Sequence, residues 1–252
     1  MTPSAAARLV SRFSDFRSGL NSEELQNWHI LLSAMVGEMA ERDRPPSSEP
    51  RAAVWQTMVR TISEIYPGGA LRLGCLEPLR DDLDRLAAEA SELIDTQVRF
   101  GDKISGTVES GTLATSVAGD PRLRAELVRQ AGVPLSPPTS VCYFYYHRPG
   151  DYLLPHADPI VSSGVICLTN LVHTPRTDGD PPSALVVHDP RRGPIRHELS
   201  PGQSLMMFGG GTVHAREPIG PGETIINLSV GFSYAEAMPE SLWNRPSQED
   251  AR

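Results

Sequence analysis

Two histidines and one aspartate are the residues of this chain whose types and spacing could hold a metal ion. His156 and Asp158 stand two residues apart in "DYLLPHADPIVSSG", just after a Pro-Gly turn. On a strand, residues i and i+2 point to the same face, so the spacing predicts that both side chains aim at one spot. His214 comes much later, after the apolar run and glycine turn "SLMMFGGGTV" and before "AREPIGPGETIINLSVGF". Two imidazoles and one carboxylate form a facial triad that leaves coordination positions open and suits non-haem Fe(II). For His156 and Asp158 alone, a hydrogen-bonded pair accounts for the spacing equally well, and His214 tips the reading to a metal. His29, His147, His173, His188 and His197 have no evident partner in the sequence and read as ordinary, locally satisfied histidines.

These residues need a scaffold, and the chain is long enough to build one. It has 252 residues, 39% hydrophobic and 21% charged, enough to bury a core without disulfides. Cys75, Cys142 and Cys167 are widely spaced, with no Cys-x-x-Cys, which predicts free thiols and a reducing, cytoplasmic setting. The net charge of -8 disfavours nucleic acid and anionic membrane as partners. The start, "MTPSAAARLVSRFSDF", lacks the apolar run of an export signal, and no window approaches the ~18 apolar residues of a membrane span.

The first half reads as helical. Asn21 with Glu24 predicts a capped helix carrying Leu25, Trp28, Leu32, Met35 and Met39. A polar connector follows at 42–50. Pro50 then opens a helix with Val54, Met58 and Ile62 on its stripe, and "PGG" at 67–69 breaks it. Leu79, Leu83, Leu86, Ala90 and Leu93 predict a third helix. Asp120-Pro121 opens a fourth, with Leu123 and Leu127 buried. From about residue 140 the texture changes to short β segments separated by turn-formers, which implies a sandwich or jelly-roll barrel. The expected fold is therefore α+β, a helical half (1–135) packed on a β barrel (136–240), with a polar tail at 241–252.

The two blocks "YYHRPGDYLLPHADP" and "GGGTVHAREPIGPGETIINLSVGF" resemble the double-stranded β-helix Fe(II)/2-oxoglutarate-dependent oxygenases. The branch they look most like is the prolyl 4-hydroxylase type with its small-molecule-modifying bacterial relatives. The resemblance covers roughly residues 141–233. It implies that His156, Asp158 and His214 bind Fe(II), and that 2-oxoglutarate chelates the metal beside a site for O2. It implies too that the substrate is a small molecule, such as an amino acid or a natural-product intermediate. Family halogenases carry a small residue in place of the triad carboxylate, so Asp158 implies oxygenation or desaturation. The helical half would shape the substrate pocket, and a homodimer is compatible with this picture.

The chain departs from the family at the anchor of the far 2-oxoglutarate carboxylate, usually an Arg or Lys on the strand after the distal histidine. Here that strand carries Thr224 and Ser229. Arg216 shares a face with His214 by strand alternation and is the expected replacement, able to offer a fork to a carboxylate; a rim arginine paired with Glu217 is the alternative. Arg196, Arg148 and Arg72 are further cations within possible reach. Tyr145 and His147, with Tyr143, would line the inner face ahead of the Pro-Gly turn and offer hydrogen bonds. "FGGG" lacks the Lys-Ser/Thr of a phosphate loop and reads as a turn that brings backbone close to the site. The 174–183 loop reads as a lid over the barrel mouth. Without a conventional anchor, an Fe(II) enzyme that does not use 2-oxoglutarate stays open. So does a cupin-like metal-dependent isomerase or binding barrel, although cupins cluster more histidines together.

Overall fold

The computed structural model describes residues 19–42, 49–66, 68–100, 104–106, 110–159 and 163–235. The polar tail therefore lies outside the described residues, as does most of the connector between the first two helices. Helix α1 (Ser22–Arg42) starts at a reciprocal cap. Asn21 Oδ1 accepts the N–H groups of Glu23 and Glu24, both at 3.0 Å, while the Glu24 carboxylate takes the Asn21 N–H at 2.9 Å. Its buried stripe is His29, Leu32 and Val36, so Met35, expected inside, is exposed. Helix α2 (Glu49–Ile65) buries Trp55, Met58, Val59, Ile62 and Ile65 and leaves Val54 outside.

The third helix is shorter than its apolar spacing predicts. It divides into α3 (Glu77–Arg80) and α4 (Leu83–Glu92). Asp82 leaves the helical region between them, at φ -109° and ψ 2°, with its carboxylate hydrogen-bonded to Arg85. Helix α5 (Thr112–Ala118) precedes α6 (Pro121–Ala131), where Asp120 Oδ1 accepts the Arg122 N–H at 2.8 Å and Gly132 ends the helix at φ 69°.

Three short strands lie in the half expected to be helical: β1 (Ala70–Leu73), β2 (Val98–Phe100) and β3 (Ile104–Gly106). The remaining strands are β4 (Leu135–Tyr146), β5 (Leu153–His156), β6 (Val165–Thr174), β7 (Leu185–Asp189), β8 (Gly193–His197), β9 (Ser204–Met207), β10 (Val213–Arg216) and β11 (Thr224–Tyr234). They form two antiparallel sheets, in the orders β1-β9-β6-β11-β4-β3-β2 and β5-β10-β7-β8. Strand β4 begins inside "LSPPTS", which the sequence presents as a boundary. Its Pro137 and Pro138 sit where, among the described residues, only β11 pairs with it and where that register shifts on both sides of Phe232, an irregular edge stretch of the kind that tolerates proline.

Helices cover the sandwich on both sides. Ile226, Leu228, Val230 and Phe232 of β11, with Tyr143 and Tyr145 of β4, pack outward under α3–α6. Against the smaller sheet, Val213 and Ala157 join Leu32, Val36, Trp55 and Ile62 of α1 and α2. Between the sheets lie Leu168, Leu185, Val187 and Leu205 at one end and Tyr146, Ile219 and Ile225 at the other. No helix among the described residues is long and apolar enough to cross a membrane.

Candidate metal centre

Strand β5 pairs antiparallel with β10 and sets His156 directly opposite His214. Their ring centroids are 4.4 Å apart. The strand ends at His156, so Asp158 does not share a strand face with it as the spacing predicts. Instead the chain leaves the sheet, and the Asp158 N–H donates to Gly209 O at 3.0 Å. This turn delivers the carboxylate between the imidazoles, with Oδ1 3.6 Å from His156 Nε2 and Oδ2 3.4 Å from His214 Nε2. One ligand atom from each of the three side chains lies within 4.8 Å of the others. The close approach depends on glycine. A Cβ at Gly209 would sit 2.3 Å from Ser163 O and 3.2 Å from Asp158 Cβ.

The donor set fits a divalent transition metal. His156 Nδ1 is 2.8 Å from Leu154 O and His214 Nδ1 is 3.1 Å from Thr212 O. A carbonyl can only accept, so each Nδ1 carries the proton and each Nε2 keeps a lone pair for a ligand. Asp158 Oδ2 is buried with no hydrogen-bond donor. Burial opposes the Asp158 anion, but His214 and His156 outweigh it and hold its carboxyl below the ordinary range. Burial and then His156 push His214 below its ordinary value. For His156, burial works against the cation but Asp158 more than offsets it and the imidazole ends above its ordinary value. The inward-facing Cys142 thiol is pushed up to about 12, by burial first and then by Asp158.

The other candidate residues divide. Arg216 lies two residues beyond His214 and is buried, 4% exposed. Its Nη1 donates to Ser183 O at 3.3 Å, its guanidinium lies 5.3 Å from the centre of the Tyr146 ring, and its Nε has no partner. Glu217, the alternative partner for Arg216, instead binds Arg196 through both oxygens at 2.8 and 2.9 Å. Arg72 is exposed and bonded to Glu198 O and Gln203, and Arg148 is exposed, so neither reaches the triad.

Tyr145 and Thr224 face out of the barrel. The Tyr145 hydroxyl donates to Ala90 O in α4 at 2.8 Å, outside the barrel. Thr224 shares the outward face with Ile226 and Leu228. His147 follows the end of β4 in a turn that Asp151 staples through the His147 and Arg148 N–H groups. The inward positions are Cys142, Phe144 and Tyr146 on β4 and Ile225, Asn227 and Ser229 on β11. Asn227 is buried and its Oδ1 lacks a donor. The 174–183 loop is tied down, by Arg176 to Asp178 and by the Thr177 N–H to Pro221 O at 2.8 Å.

A groove of about 390 Å³ runs between α1 and the free edge of β5. His156 lines it with Ile30, Ala34, Leu154 and Pro155, and among the described residues no Asp, Glu, Lys or Arg belongs to its lining. Its two walls are far apart in the chain, so no local pattern marks it.

No family model matches the chain, and no curated protein matches it by sequence. Solved structures do resemble it. The non-haem alpha-ketoglutarate-dependent epimerase SnoN from nogalamycin biosynthesis superposes with a TM-score of 0.54 at 17% identity, covering 75% of this chain and 89% of its own. A prolyl-4-hydroxylase from Pseudomonas putida gives 0.52 at 14% identity, over 71% and 99%. HygX from Streptomyces hygroscopicus, solved with nickel, 2-oxoglutarate and hygromycin B, gives 0.52 at 12% identity, over 71% and 91%. The likeness is one of fold, a double-stranded β-helix like that of these structures.

Proposed function

We propose that this protein is a non-haem Fe(II) oxygenase that uses 2-oxoglutarate and O2 to oxidise a small molecule. The observation that carries the reading is the convergence of His156 Nε2, Asp158 and His214 Nε2, with both Nδ1 protons committed to backbone carbonyls. His156, Asp158 and His214 hold the metal, which when loaded couples oxidative decarboxylation of 2-oxoglutarate to oxidation of the substrate.

Arg216 receives the far carboxylate of the cosubstrate. A buried guanidinium with no carboxylate in ion-pair range among the described residues is costly unless an anion joins it. Its fork matches that anion in shape. Tyr146, rather than Tyr145, packs on it. The groove beside His156 argues about the substrate. A free amino acid brings two charges that its lining cannot pair, whereas a largely uncharged natural-product intermediate fits. The free thiols agree with a cytoplasmic setting.

Anaerobic titration of the apo-protein with Fe(II) and then 2-oxoglutarate tests the reading. A visible metal-to-ligand charge-transfer band that needs both is the expected result, and His156→Ala or Asp158→Ala should abolish it. The uncharged inward face of β11 favours one other outcome, iron binding without the band, which would leave a metal enzyme that does not use 2-oxoglutarate. Failure to bind iron would overturn the metal centre.

A further inference from the structure

The helical pair α1/α2 lies against the smaller sheet and touches the metal-bearing segments through hydrogen bonds as well as apolar packing. Ser33 Oγ of α1 donates to Ala157 O at 2.9 Å and accepts the Ala157 N–H at 3.0 Å. Ala157 is the residue between His156 and Asp158, just past the end of the edge strand β5. One hydroxyl therefore satisfies both backbone groups of the link between two ligands.

The glycine turn before His214 is held in the same manner. Its three successive carbonyls are each taken by a different element. Gly209 O accepts the Asp158 N–H at 3.0 Å, Gly210 O accepts His29 Nε2–H at 2.5 Å, and Gly211 O accepts Ser63 Oγ–H at 2.9 Å. His29 is fully buried, edge-on to Tyr66 at 5.0 Å, and Ser63 comes from α2. Thr212 continues the pattern. Its hydroxyl bonds both the N–H and the carbonyl of Gly69, at 2.8 and 3.1 Å, and its own carbonyl takes the His214 Nδ1 proton. Room is scarce. A Cβ at Gly68 would come within 2.4 Å of Gly211 O.

We infer that His29, Ser33 and Ser63 are positioning residues for the metal centre. Through backbone rather than ligand atoms, the α1/α2 pair fixes the distance and angle between the His156–Asp158 segment and the His214 segment. This rests on the reading of the triad as metal ligands and adds to it a second, helical layer of control. Outer-shell contacts of this kind typically govern metal affinity by ~10–100-fold.

The test uses Co(II) alone as a spectroscopic probe on the full chain, and it needs no substrate. Ser33→Ala should weaken the Co(II) Kd by ~10-fold or more and alter the energy or intensity of the visible ligand-field bands. Ser33→Thr, which restores the hydroxyl, should recover both. Val36→Ala, one turn along the same buried face, is the control. It removes apolar packing and no hydrogen bond, so it should lower the melting temperature while leaving Kd and bands unchanged.

If Val36→Ala perturbs the metal as much as Ser33→Ala at matched loss of stability, the helices merely pack and the inference fails. It also fails if Ser33→Ala leaves Kd and bands untouched. Should Ser33→Ala not fold, Ser63→Ala makes the same comparison with one donor removed. A wild-type chain that ignores Co(II) would overturn the metal reading itself, and this inference with it.

Discussion

Arg216 concentrates the chemistry that can be tested with one side chain. Burial pushes its guanidinium below the ordinary value; Tyr146, Glu223 and Glu217 act in the opposite direction without prevailing. Removing one partner of a buried, hydrogen-bonded charge pair costs ~2–5 kcal/mol, so Arg216→Leu should raise the 2-oxoglutarate Kd at least ~30-fold. Arg216→Lys keeps a charge but loses the fork, and should fall between leucine and wild type. Fe(II) affinity should be unchanged in both, and calorimetry with the Fe(II)-loaded protein under anaerobic conditions reads the difference. An unchanged 2-oxoglutarate Kd would move the carboxylate it binds onto the substrate. The convergence of His156, Asp158 and His214 was legible in the sequence because ligand chemistry needs few residue kinds. The faces of β4 and β11 were not. "VCYFYYH" and "TIINLSVGF" are apolar on both sides because both faces of the larger sheet are buried, one under helices and one in the barrel. Alternation without a polar face does not say which set points inward, and so Tyr145 was expected on the inner face that Tyr146 occupies.

Helix ends show how one element is fastened to the next. The Glu89 carboxylate of α4 accepts the Leu113 and Ala114 N–H groups at 2.8 and 2.9 Å, capping α5, and takes the Tyr143 hydroxyl at 2.7 Å. Burial opposes its charge, but the Tyr143 bond and the two backbone bonds hold its carboxyl below the ordinary range. Glu89→Ala should therefore destabilise by about 2 kcal/mol, the usual scale for hydrogen bonds to a charged group. A Cβ at Gly111 would lie 2.1 Å from Glu89 Cδ, so Gly111→Ala should expel the same carboxylate. The two losses should then overlap strongly in the double variant rather than add, as urea midpoints would show. Fully additive losses would mean that the cap is not where α5 is held. No local signal marks this joint, since Glu89 and Gly111 are far apart in sequence. The Asn21–Glu24 box and Asp120-Pro121 were legible because each closes within one turn. Strand β1 pairs with the distant β9, and β2 and β3 form a short hairpin that joins the sheet through β4, so single-segment propensity did not mark them.

At the scale of the molecule, the order of helical and β segments marks the α+β class, but not that the helices divide into two layers on opposite faces of the barrel. The stripe of α1 shows why. His29 counts as polar in any apolar pattern, yet it is buried and turns the helix so that Met35 is exposed. The layer made by α1 and α2 also shelters His188 of β7, whose ring meets Trp55 of α2 edge-on at 5.4 Å. Burial, then the neighbouring His214, lowers His188 to about 4. Its folded value lies below the unfolded one, so the unfolded chain binds the proton first. Stability is therefore whole above the ordinary histidine range and is lost as pH falls from ~6.5 to about 4, with no further loss from this group below that. His188→Phe keeps a ring against Trp55 and removes the titration. Its melting temperature should fall less steeply between pH 6.5 and 4 than that of the wild type, with a residual slope from His29 and His214, both also lowered by burial. Identical slopes would mean that α2 leaves this face as the protein acidifies, admitting water to His188 before the barrel unfolds. Hydrogen exchange at β7 and β10 would then open at low pH ahead of exchange in β11.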